Sequence, residues 1–109
     1  ENVSKMRRRR YVLDLDIVED TKPEKIVELK QKITEDLMKN ENIIKDTISI
    51  YFTEIAESSF RISIIFYFDV TDYTEFLELK DGVNRNIITI LNKEKVSLAY
   101  DTKTIEIKK

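Results

Sequence analysis

The chain has 109 residues, 41% of them hydrophobic, which is enough for one closed core and leaves no room for a second domain of ordinary size. It contains neither cysteine nor histidine, so disulfides, thiolate zinc sites and cysteine nucleophiles are excluded, along with the usual neutral-pH base and the commonest transition-metal ligands. The formal charge of −2 hides an asymmetry: in the first ten residues Lys5 and Arg7 to Arg10 outweigh Glu1 by four charges, which leaves the rest of the chain at −6 and repulsive to a polyanion.

The pattern opens with a basic segment, residues 1–10, read as a linker from an upstream region; a first residue that is not methionine fits a processed or cut product. From Tyr11 the residues alternate, with Tyr11, Leu13, Leu15 and Ile17 on one face and Val12, Asp14, Asp16 and Val18 on the other, the mark of a half-buried strand. Thr21 and Glu24 have capping-box spacing and Pro23 suits a first helical turn, although Lys22, the residue before the proline, is an alternative cap. Ile26, Leu29, Ile33 and Leu37 then predict an amphipathic helix of about 18 residues ending near Asn40 to Asn42. Residues 46–56 alternate again, with Ile48, Ile50 and Phe52 on one side. Residues 59–70 follow with Phe60, Ile62, Ile64, Phe66 and Phe68 on a single face. The short connection Ala56-Glu57-Ser58-Ser59 predicts a hairpin of open turn type, because it has no Asn-Gly or Asp-Gly signal.

Asp72 and Glu75 form a second capping box, opening a helix whose apolar face is Phe76, Leu79, Val83, Ile87 and Leu91. Gly82, the only glycine, sits inside it and costs about 1 kcal/mol relative to alanine; it is either tolerated or required by close approach of the helix to the sheet. One or two short strands close the chain, in Val96-Ser97-Leu98-Ala99-Tyr100 and Thr104-Ile105-Glu106-Ile107. The order βαββαβ most economically gives an α+β, ferredoxin-like fold, an antiparallel sheet with two helices on one face and the first and third strands at its centre. The domain then spans residues 11–102, and residues 103–109 form a short C-terminal strand.

In that arrangement the sheet face away from the helices carries Val12, Asp14, Asp16, Arg61, Ser63, Ile65 and Tyr67. An RNA platform of this topology stacks bases on aromatic side chains of the central strands. Here the first strand offers carboxylates and only Tyr67 is placed to stack, so nucleic acid is not an expected partner. Asp14 and Asp16 lie about 6.5 to 7 Å apart by strand rise. Two carboxylates are few for a calcium site, and Arg61 or Ser63 beside them would satisfy them without metal. No catalytic group, cofactor site or metal site is assigned. No apolar run approaches the roughly 20 residues that cross a bilayer, and no signal-peptide pattern is present.

Several stretches resemble the C-terminal α/β domain of the small-conductance mechanosensitive channel (MscS) family. They are Thr21-Lys22-Pro23-Glu24-Lys25-Ile26, Ile44-Lys45-Asp46, the run from Phe52 through Glu54 and the paired Ser58 and Ser59 to Phe60, Ile87 through Lys95, and the closing Val96 through Ile107. The resemblance covers roughly residues 8 to 107 and departs where the family often has prolines and this chain has Leu98-Ala99-Tyr100-Asp101. It implies a non-catalytic piece of a channel that releases ions and small osmolytes under membrane tension. The partner is the chain itself, a homoheptamer in the full-length channel, with the membrane met only through upstream transmembrane segments. The place implied is the cytoplasmic side of the bacterial inner membrane, and the fragment itself is expected to be soluble. By position, Thr104, Ile105, Glu106 and Ile107 would form the oligomer interface, as strands closing a barrel between subunits. The alternative is a free-standing ferredoxin-like regulatory module that dimerises and binds a small ligand.

Overall fold

A computed structural model describes residues 8–99. In chain order these form strand β1 (Arg9–Val18), helix α1 (Pro23–Met38), strand β2 (Ile43–Ile55), strand β3 (Ser59–Phe68) and helix α2 (Tyr73–Lys93). The three strands make one antiparallel sheet in the order β1-β3-β2. Beyond β1, Leu98 forms an isolated antiparallel bridge with Ile17. Val18 N–H donates to Ser97 O at 3.0 Å and Ala99 N–H to Asp16 O at 2.8 Å. Among the described strands β3 alone is flanked on both sides; β1 lies at the edge, with the bridge at Leu98 on the side where the ferredoxin-like order places a fourth strand. The expected strand at Val96 to Tyr100 is, as far as Ala99, a bridge rather than a full strand.

Alternation in the sequence becomes burial. Tyr11, Leu15 and Ile17 of β1, Ile50 of β2 and Ile62, Ile64, Phe66 and Phe68 of β3 are buried in one cluster with Ile26, Leu29, Ile33 and Leu37 of α1 and Phe76, Val83, Ile87 and Leu91 of α2. Both helices thus cover the same sheet face. Tyr11 is stacked on Phe66 at 4.4 Å between ring centroids, and Phe68 meets the edges of Tyr11 and Phe66. Each fully buried Ile or Leu contributes about 1.5 to 3 kcal/mol relative to an exposed one. Among the described residues, no buried side-chain nitrogen or oxygen lacks a hydrogen-bond partner.

The helix ends differ from the spacing rule at one end and follow it at the other. Thr21 does not cap α1. Its hydroxyl donates to Val18 O at 2.8 Å, and the N-cap is Lys22, extended before Pro23 and without a side-chain cap. The proline at the first helical position lacks an N–H, so one of the amides left without a helical partner is absent there. At α2 the Asp72 carboxylate accepts the Glu75 N–H at 2.9 Å as expected. The far end of α2 closes with Lys95 at φ 59°; Lys95 N–H donates to Asn92 O and Val96 N–H to Leu91 O at 2.9 Å. This is a Schellman motif, with the buried pair Val96 and Leu91 as its apolar contact.

Irregularities fall on β2, the edge strand. The register with β3 shifts between Ile44 and Ser49 and again between Phe52 and Glu54. In the first bulge the Thr47 hydroxyl accepts the Tyr67 N–H at 3.0 Å and donates to Ile44 O at 2.6 Å, standing in for a missing backbone rung. The Lys45 ammonium donates to the carbonyls of Asn40 and Ile43. At the hairpin, Ala56 N–H donates to Ser59 O at 2.8 Å. Among the described residues only Lys95 has positive φ, so the turn is neither type I′ nor type II′, both of which need it. The twist mismatch of such a turn accompanies the bulge at Thr53 and the exposed Ile55, which still pairs with Phe60.

Candidate functional site

Two surfaces carry the side chains that could act: the sheet face turned away from the helices, and the free edge of β1. Register places Asp16 opposite Arg61 and Asp14 opposite Ser63 on that face. Arg61 holds Asp16 with two bonds, Nε to Oδ1 at 2.9 Å and Nη2 to Oδ2 at 3.3 Å, while Nη1 lies 3.3 Å from Glu54 Oε1. The Asp16 hydrogen bond, followed by the charge beside it, raises the Arg61 pKa above its ordinary value. Ser63 donates to Asp14 Oδ1 at 3.0 Å, and because its single proton is committed there, the contact with Thr53 at 3.0 Å is a donation from the Thr53 hydroxyl. Both carboxylates already have protein partners. Among the described residues, no group of three or more Asp, Glu, His or Cys side chains could hold a metal ion.

The half of this face nearer the start of β1 is apolar and aromatic, with Val12 46% exposed and Ile65, Tyr67 and Ile44 partly covered. Arg8 lies over the Tyr67 ring at 5.7 Å. Arg9 sits within β1, donates from Nε and Nη2 to Thr71 O at 3.0 and 2.8 Å, and reaches the Tyr73 ring at 5.4 Å. Two members of the arginine run are thus occupied by the protein's own surface. On β2 the exposed Tyr51 is met by the Lys30 ammonium of α1 at 5.3 Å.

The second surface is a groove of about 350 Å³ between β1 and α2, lined by the aliphatic Leu13, Leu15, Ile87 and Ile88 together with Asp14, Asp16 and Asn84, and bordered by the segment at Leu98. Asn84, one of its lining residues, accepts through Oδ1 from the buried Tyr11 phenol at 2.6 Å, and burial pushes the Tyr11 pKa up to about 12. A larger trough of about 580 Å³ runs between the start of α1 and the end of α2. Its central cation, Lys25, is held by Glu28 at 3.2 Å and Glu94 at 3.3 Å. Those hydrogen bonds raise the Lys25 pKa and, from the Lys25 side, lower that of Glu28.

The residues assigned from sequence to the oligomer interface, Thr104, Ile105, Glu106 and Ile107, lie outside the described residues. On the sheet face, the Arg61 and Ser63 pairings follow from alternation. Glu54 and Thr53 do not, since their positions depend on the bulge. The Tyr11–Asn84 bond joins residues 73 apart in the chain, and its only sequence signal is a tyrosine at a core-facing position, which needs a partner for its hydroxyl.

Comparison with known proteins gives one consistent answer. Residues 12–98 match the family described as Mechanosensitive ion channel MscS, C-terminal. The chain is similar to an uncharacterized MscS family protein of Aquifex aeolicus (strain VF5), 29% identical over 110 residues, covering 100% of this chain and 30% of that protein. It is also similar to the MscS family protein YhdY of Bacillus subtilis (strain 168), 24% identical, covering 98% of this chain and 29% of that one. The chain thus spans less than a third of the length of these relatives. Among solved structures, the fold is shared with Arabidopsis thaliana MSL1, at a TM-score of 0.77, 18% identity and coverage of 87% of this chain and 35% of that one. It is shared also with Helicobacter pylori MscS in its closed state, at a TM-score of 0.71, 16% identity and coverage of 87% and 36%. Among the described residues no helix is long and apolar enough to cross a membrane. On the family match over residues 12–98, the chain belongs to the MscS family of mechanosensitive ion channels and corresponds to its C-terminal domain.

Proposed function

We propose that this chain is the cage and assembly portion of a mechanosensitive channel that passes ions and small osmolytes under membrane tension. It carries no catalysis of its own. The single observation behind this is the family match across residues 12–98, supported by relatives of which the chain spans only 30% and 29%. In this reading the pore-forming segments lie upstream, the domain hangs on the cytoplasmic side, and copies associate as a heptamer. Residues 1–10 lead in from the upstream part, with their last two members already inside β1. Residues 103–109 supply the assembly strand, with Thr104 to Ile107 pairing between subunits, since a four-residue strand is marginal without neighbours.

Reading the coding sequence upstream of the Glu1 codon tests the first part, and apolar helices encoded there are the expected result. An initiator immediately before Glu1, with no membrane segment, overturns it. Light scattering over a concentration series tests the second part. Mass should rise with concentration and fall to that of a monomer when residues 103–109 are deleted; a mass unaffected by the deletion removes the role given to Thr104 to Ile107. The alternative of a free-standing ligand-binding dimer draws no support from relatives so much longer than this chain.

A further inference from the structure

We propose that the sheet face turned away from the helices is a self-complementary docking surface, and that its partner is a second copy of this chain related by a two-fold axis at Val12. The outward positions of β1 and the residue before it read Arg8, Arg10, Val12, Asp14 and Asp16, with cations and anions placed symmetrically about one exposed valine. Reversing the strand about Val12 exchanges the two signs. The neighbouring row does the same. Register with β1 sets Tyr67, Ile65, Ser63 and Arg61 on the outward positions of β3, and Asp69, next in that alternation, follows one residue past the strand's end. On this row the anion stands at the Arg8 end and the cation at the Asp16 end, so reversal about Ile65 again exchanges them. Arg8 is held on this face by the outward Tyr67 ring, 5.7 Å away.

A face with this pattern fits its own copy. When the axis lies between two stacked sheets and runs across their strands, each β1 lies antiparallel over the other. Arg10 then meets the partner's Asp14, Arg8 the partner's Asp16 and Arg61 the partner's Asp69. Val12 and Ile65 sit on the axis against their own counterparts, and on β2 the register places Ile44 over the partner's exposed Tyr51. Stacked sheets lie about 10 Å apart, a span that an arginine and a carboxylate bridge together. Their strands cross at about 30°, which displaces the Arg10 pair sideways by about 3.5 Å and the Arg8 pair by about 7 Å. The inner pair therefore sets the register. The bonds that Ser63 and Arg61 already make to Asp14 and Asp16 leave acceptor sites on each carboxylate for a second donor. A partner of one charge sign would be attracted at one end and repelled at the other, so the pattern selects the copy. The face is small. Ten residues of strand at about 3.3 Å each, across three strands about 4.8 Å apart, give on the order of 500 Å² a side, in the range of transient association. Such a contact closes at two copies and is not the link of a seven-membered ring. It uses nothing from residues 103–109, so it stands apart from the assembly strand proposed above.

Sedimentation of the full 109-residue chain tests it, with the amide shifts of Val12 and Ile65 followed from about 0.02 to about 1 mM protein. A two-copy species should appear as concentration rises, and both shifts should move with it. Arg10→Asp and Asp14→Arg each bring like charges together twice across the axis and should weaken the pair by roughly tenfold or more. Combined in one chain, the two changes re-form both opposite-sign pairs and should restore the association to within about threefold of the parent. Raising salt from about 0.05 to about 0.5 M should weaken the parent pair severalfold, a reading that does not depend on any variant folding. Shifts of Val12 and Ile65 that stay fixed up to the highest concentration, a pair insensitive to salt, single reversals without effect, or a combined variant as weak as the single ones overturn the proposal. None of these outcomes bears on the ring, and loss of the ring on deleting residues 103–109 leaves this face untouched.

Discussion

Tyr11 shows how much one side chain can join. Its ring is stacked on Phe66, and its hydroxyl ties the first strand to Asn84 of the second helix. Because burial raises its pKa from 10.0 to about 12, the folded protein keeps the phenolic proton across a range where the unfolded chain loses it. The folded state then binds more protons, so stability is intact below pH 10 and falls as pH climbs toward 12. The loss across that window is on the order of 2 to 3 kcal/mol. Denaturant midpoints measured between pH 9 and 12 should drop, and Tyr11→Phe should flatten that slope. Gly82 carries the opposite lesson. A methyl group there would meet nothing within 4 Å, so the reading in which the glycine permits close approach to the sheet is wrong. Gly82→Ala should raise stability by about 0.5 to 1 kcal/mol, read as a higher denaturant midpoint at unchanged slope.

The helices and central strands were legible because burial there repeats with the period of the element. Ile26, Leu29, Ile33 and Leu37 of α1, and Phe60, Ile62, Ile64, Phe66 and Phe68 along β3, face inward or pack against the core. The caps were legible only where no proline intervened: Asp72 binds the Glu75 amide, while Pro23 leaves Thr21 to close the preceding turn. The bulges of β2 were not legible at all. They depend on which side chain replaces a missing rung, and Thr47 does so at a distance of twenty residues from Tyr67. The end of α2 was equally hidden, because a lysine at φ 59° gives no glycine signal. Its left-handed backbone costs about 1 to 2 kcal/mol, so Lys95→Gly should add about 1 kcal/mol to stability. A rise in the thermal midpoint checks this; a fall would mean that the lysine side chain contributes more than its backbone costs.

At the scale of the molecule, one hydrophobic cluster serves both helices, and the sheet face opposite remains polar at one end and apolar at the other. Function was legible mainly through family resemblance, since a chain without histidine or cysteine offers few side chains from which to read chemistry. The pairing of Asp16 with Arg61 could be read from alternation, whereas the groove beside Leu13 and Ile88 could not, because its walls come from opposite ends of the chain.

The ladder between β1 and β3 has a mechanical consequence. It runs unbroken from Arg9 and Phe68 to Val18 and Ser59, and the chain enters it lengthwise. A tug applied ahead of Arg8 along that axis strains every rung simultaneously, instead of unzipping them singly. Arg9, bolted to the Thr71 carbonyl, spreads the same pull to the threshold of the second helix.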